Sequence, residues 1–148
     1  MTRILTTIIM LIVSLAMQAQ QGLPINKLFA GDIVPQEEMV ETRIKGKEIA
    51  KYQLSYFRSL RFEAGKSDVE QIRTLLETGK HQDMYFRSDK PSKTLTIMVQ
   101  FMPQGQLNRF ACMKVRNTNK TIENVTVIYM EGRLDSLDKL QEIINNQK

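Results

Sequence analysis

The chain has 148 residues, a formal net charge of +5, 42% hydrophobic residues, one histidine, one cysteine and no tryptophan. A single cysteine excludes an intrachain disulfide framework, and a single histidine excludes a histidine-based metal cluster. The positive excess is small and dispersed, so it does not by itself specify an anionic partner.

The N-terminus carries Arg3, then the uncharged run Ile4 to Met17, 14 residues rich in Ile, Leu, Val and Met, then Gln18, Ala19 and Gln20. This succession has the layout of a secretory signal peptide. The run falls short of the roughly 18 apolar residues that a membrane-spanning helix needs. Residues 1–19 are therefore read as a signal peptide, leaving no transmembrane anchor after cleavage, and residues 20–148 as one α+β domain. Cleavage after Ala19 places a small residue at the site, although Met17 is large two positions earlier; cleavage after Ala16, with Ser14 before it, competes. Arg3 is the leader's only charge, so the remaining 129 residues carry 20 basic and 16 acidic groups. That length suffices for a single core, and no Pro-rich or Gly/Ser linker divides it.

From Leu23 to Gly31 the apolar Leu23, Ile25, Leu28 and Phe29 predict a brief helix closed by a glycine turn, acting as an N-terminal strap. Met39 to Lys45 alternate, with Val40, Thr42 and Ile44 on one side, and predict a half-exposed strand ending at Gly46. Lys47 to Glu63 mixes the two periods and is read as a helical turn entering a strand. Ser67 and Glu70 fit a capping box, Val69, Ile72, Leu75 and Leu76 share a helix face, and Gly79 supplies the left-handed cap. Thr94–Met102 puts Leu95, Ile97, Val99 and Phe101 on one face, and Pro103, Gln104 and Gly105 turn it into a second strand over Leu107–Arg116. After a polar turn at Asn117, Thr118 and Asn119, residues Val125–Met130 are apolar on both faces, as in the interior of a covered sheet. Leu134, Leu137, Leu140 and Ile144 then mark an amphipathic C-terminal helix capped by Asp135.

Short polar turns between strands exclude parallel neighbours, which need long crossovers. The expected architecture is a mostly antiparallel sheet of four to five strands, with the two longer helices packed on one face.

Several segments carry a resemblance: Leu28-Phe29, Glu41-Thr42-Arg43-Ile44-Lys45-Gly46, Tyr52 with Phe57-Arg58-Ser59, and Val127-Ile128-Tyr129-Met130-Glu131-Gly132. In these the chain resembles small exported proteins of Bacteroidetes-type bacteria that form a domain-of-unknown-function family. The resemblance implies export and a shared fold, and it assigns no site.

Chemistry-bearing groups are sparse. Cys112 and His81 form a nucleophile and base only if the fold unites them; the simpler reading is a buried thiol and a solvated histidine. Glu37 with Glu38, or Glu131 with Asp135, supply acid–base carboxylates only if a cleft gathers them. No phosphate-binding glycine loop or serine elbow occurs. Lys51, Tyr52, Arg58 and Arg61 interleave cations with aromatic rings and are the candidate interaction surface; the competing reading is a core strand with a basic edge. Asp135-Ser136-Leu137 resembles the acceptor triplet of bacterial protein O-glycosylation, which implies a glycan on Ser136.

These observations favour a non-catalytic binding or interaction module of the cell envelope, without a cofactor or metal, whose partner is a protein or envelope ligand rather than nucleic acid. A small carboxylate-dependent envelope hydrolase and a structural protein self-associating through a sheet edge are the alternatives. The predicted mature N-terminus is Gln20, to be checked by intact mass of the protein recovered from the envelope; retention of Met1 and the apolar run would defeat the export reading.

Overall fold

The computed structural model describes residues 22–118 and 121–146; the leader, its cleavage positions and Asn119 of the predicted turn lie outside them. The elements follow in chain order as α1 (Asn26–Phe29), a 3-10 turn (Gln36–Glu38), β1 (Val40–Lys45), α2 (Lys47–Ala50), β2 (Leu54–Gly65), α3 (Lys66–Thr78), β3 (His81–Asp89), β4 (Thr94–Phe101), β5 (Asn108–Asn117), β6 (Ile122–Gly132) and α4 (Leu137–Asn146). The six strands form one antiparallel sheet in the order β1-β2-β6-β5-β4-β3. After the β1–β2 hairpin, α3 carries the chain across the sheet to the far edge, and β3 through β6 meander back until β6 pairs with β2.

The strand period of two divides the apolar residues between two cores. On one face Leu60, Phe62, Ile97, Val99, Phe101, Ala111, Met113, Val125, Val127 and Tyr129 are buried beneath Val69, Ile72 and Leu76 of α3 and beneath the N-terminal strap. On the other, Met98, Phe110, Cys112 and Met130 are buried with Leu134, Leu137 and Leu140 of the C-terminal segment and with Ile49 and Leu54. The long helices therefore cover opposite faces, which corrects the expectation that both lie on one. Burial on both sides of β6 requires it, because one helix layer leaves half of those residues in water.

The strand count is also corrected, from four or five to six. The missed strand, β3, is an edge strand on which only Tyr85 and Asp89 are part-covered. Met84 and Phe86 remain exposed, Phe86 to 53%, and the Arg73 guanidinium lies 5.4 Å from the Phe86 ring. An edge strand exposed on both faces carries little of the alternation by which strands are recognised. The turn-then-strand reading of Lys47–Glu63 matches α2 and β2.

The helix caps differ from the expectation as well. Helix α3 starts at Lys66 with no side-chain cap, and Gly79 is extended at φ −64° rather than left-handed. Gly79 has a steric role instead: a Cβ there would come within 3.1 Å of the Phe101 ring. At α4 the Ser136 Oγ, not Asp135, accepts from the Lys139 N–H at 3.3 Å, while Asp135 pairs with Lys139 Nζ at 2.9 Å.

Gly132 closes β6 where the backbone of the α2–β2 turn crosses it. Gln53 adopts a left-handed φ of 61°, and its carbonyl accepts from both Arg133 N–H (2.9 Å) and Leu134 N–H (3.2 Å). A Cβ on Gly132 would stand 2.2 Å from that carbonyl oxygen and 2.7 Å from the Leu54 Cα. Backbone must move to admit it, so Gly132→Ala should destabilise by about 1–3 kcal/mol, the range for overpacking. Leu137→Ala and Leu140→Ala, each truncating a side chain 1% exposed, should cost about 2–5 kcal/mol. Urea melts check all three; a wild-type midpoint for either leucine variant would mean that α4 does not dock.

Candidate functional site

The face beneath α4 is only partly covered, and its side chains change character along the strands. Register partners share a face, so one transverse row reads Thr42, Ser59, Ile128, Cys112, Met98, Tyr85 from β1 to β3. The next row is Val40, Arg61, Thr126, Lys114, Thr96, Arg87. Beyond it lie Glu63, Asn124, Arg116, Thr94 and Asp89. On β3, β4, β5 and β6 the apolar floor thus gives way to threonines and cations within two residues along the strand.

Two depressions open on these rows. One, of about 320 Å³, has Thr96, Met98, Cys112 and Lys114 as floor, Tyr85 and Arg87 of β3 on one side, and Gln141, Ile144 and Asn145 of α4 on the other. The second, shallower and about 1100 Å³, continues across the sheet over Lys114, Thr126, Arg61 and Val40, and shares Lys114 and Thr94 with the first. Together they make a trough from β3 to β1. No ion pair within 4.0 Å engages Arg61, Arg87, Lys114 or Arg116 among the described residues. Glu38, Glu63 and Asp68 border the shallow end, and no grouping of His, Cys, Asp or Glu among the described residues is suited to hold a metal.

Cys112 is 1% exposed. Burial pushes its thiol up to about 11, against a smaller downward pull from Lys114, so it stays protonated and poorly nucleophilic at neutral pH. His81 lies elsewhere: its Nδ1 is 2.9 Å from the Gly79 carbonyl oxygen and its register partner is Phe101, whereas Cys112 pairs with Met98.

The opposite face holds a buried polar pair. Tyr129 and Glu131 are two residues apart on β6, hence on one side, and the Tyr129 hydroxyl donates to Glu131 Oε1 at 2.6 Å. Burial raises the Glu131 carboxyl above the usual range, while the Tyr129 hydroxyl and the Arg109 charge pull it back. Burial, then the bond to Glu131, raises the Tyr129 phenol. The rings of Phe29 and Tyr56 meet Tyr129 edge-on at 6.3 and 6.2 Å. With Gly132 beside them, Tyr129 and Glu131 give the Tyr-Met-Glu-Gly segment a packing role.

The structure disperses the candidate surface. Arg58 points to the α3 face, where it pairs with Glu41, lies 4.8 Å from the Phe29 ring and reaches the Phe29 carbonyl at 3.5 Å. Glu41, although partly buried, is held below the usual carboxylate range by Arg43 and Arg58. Three residues further along β2, Arg61 necessarily points the other way, into the trough. Lys51 and Tyr52 sit beyond α2, with the ammonium 4.9 Å from the ring. Glu37 is exposed, Glu38 borders the trough, Glu131 is buried away from it, and Asp135 is exposed at the start of α4. Lys114, Arg87, Thr96 and Thr126 escape sequence reading because only strand pairing unites them; Met84-Tyr85-Phe86 is the one local trace of β3.

The model of a family of unknown function, DUF6108, matches residues 12–144, which take in all six strands and most of α4. The chain belongs to this family. No curated protein and no solved structure matches it. The DUF6108 domain thus includes both cores and, Asn145 apart, the lining of the trough.

Glu131 holds its proton more readily in the folded chain than in the unfolded one, so its contribution to stability is fully present below the ordinary glutamate pKa and is lost as pH rises through the raised value. Glu131→Gln keeps an oxygen for the Tyr129 hydroxyl and removes the titration. Urea melts over about pH 4–8 should show less loss of stability with rising pH in the variant; an unchanged slope would mean that the carboxyl is solvated.

Proposed function

We propose that this domain is an exported, non-catalytic binding module whose ligand seats in the trough between α4 and the sheet. The observation that carries the reading is the confluence of the two depressions at Lys114, where an apolar floor meets cations not engaged in ion pairs, hydroxyls and the amides of Gln141 and Asn145. Binding sites join an apolar surface to a few convergent polar groups in this way. Export is supported by the apolar leader, and among the described residues no helix is long and apolar enough to cross a membrane. Catalysis has less support: the thiol on the floor is held protonated, Glu131 and Asp135 lie outside the trough, and Glu38 meets it only at the shallow end. A glycan on Ser136, at the N-terminal end of α4, would leave the trough open, since its helical wall is built from the other end.

Native mass spectrometry of the purified chain after incubation with envelope extract tests the reading. A bound component should be retained by the wild type and lost from Ile144→Trp, which fills the cavity, and from Lys114→Glu, which inverts its central charge. Equal retention by both variants, or none by the wild type, would overturn it.

A further inference from the structure

The cations of the trough are placed by strand register, and their regularity points to a ligand class. Arg61 on β2, Lys114 on β5 and Arg87 on β3 are separated by Thr126 and Thr96 in one transverse row. Each cation is two strands from the next, so their Cα atoms recur at about 10 Å, twice the interstrand spacing. Arg116 lies in the adjacent row, while Glu63 and Asp89 close its ends and would repel an anionic chain that strayed from the central one. We infer that the trough binds an acidic polysaccharide laid across the strands, with a carboxylate on alternate sugars meeting each cation in turn. This rests on the binding reading above and gives it a ligand class.

The row discriminates between anionic chains. Side chains on one side of an extended peptide recur at about 6.8 Å, out of step with the cations, whereas a sugar spans about one interstrand step and alternate sugars span two. Single-stranded nucleic acid is gripped by successive aromatic platforms on which bases stack, whereas the row contains no ring and a single one, Tyr85, stands beside it. Its threonines, with Asn124, Gln141 and Asn145 beside it, match the hydroxyl groups of a glycan. Both ends of the trough reach edge strands, so a polymer can enter and leave without a free terminus.

Calorimetric titration of the purified chain with hyaluronan oligosaccharides, whose carboxylates fall on alternate sugars, tests the inference. Binding should weaken with added salt, and Arg61→Ala, Lys114→Ala and Arg87→Ala should each lower affinity about 2- to 5-fold, the equivalent of one solvent-exposed ion pair. The triple variant should lose binding while keeping its circular dichroism, and Lys51→Ala, outside the row, should bind as the wild type does. Equal or tighter binding of poly-L-glutamate or single-stranded DNA through the same residues would overturn the inference in favour of those chains. Absence of hyaluronan binding would also overturn it; if Lys114 still governed retention of an extract component, only the ligand class would fail, and the binding reading would stand.

Discussion

Strand β6 runs down the middle of the sheet with Val125, Val127 and Tyr129 buried on one side and Met130 on the other. Water must be excluded from both of its faces, and a single helical layer can exclude it from only one. The fold meets that constraint with two unequal covers. The strap and the 13-residue α3 close the first face. The second is left to α4, whose ten residues reach about 15 Å at 1.5 Å per residue, against roughly 24 Å for the five interstrand steps of the sheet.

That mismatch gives the molecule its exposed working surface. Where α4, α2 and the turn after α2 reach, the lower layer is apolar, as at Phe110, Met130 and Leu54. Beyond their reach the same strands carry Thr126, Lys114, Thr96 and Arg61, which tolerate solvent. The trough is therefore the place where one sheet face passes from core to surface, and it takes its shape from a helix too short to cover what lies beneath it. On the strap side Phe29, fastened by Arg58 and packed on Tyr129, covers part of the region that α3 leaves open.

Much of this architecture is readable in residue order. The alternation in β4, the apolar face of α3 and the run Val125–Met130 place three elements and a large part of the core beneath α3. The same run, apolar on both sides, implies two covers, which two helices on one face cannot supply. What stays hidden is tertiary. Strand β3 lacks a buried side and so lacks a pattern; the caps at Gly65 and Ser136 depend on where the chain turns; and Arg61, Lys114 and Arg87 are far apart in sequence, with nothing local to connect them. Parity separates Arg58 from Arg61, since positions 58 and 61 of a strand cannot share a side, while Lys51 and Tyr52 precede the strand.

The pairing of β2 with β6 joins segments separated by a helix and a three-strand meander. The hairpins from β3 to β6 close over short loops, whereas the β1–β2 unit can dock only after a much longer loop has closed, at a greater cost in chain entropy. Folding is thus expected to be paced by this distant contact rather than by the local turns. Until it forms, the inner edge of β6 presents unpaired backbone groups beside apolar side chains, the arrangement through which strands recruit foreign partners. The most hazardous moment in the life of this chain falls before its second and last strands have met.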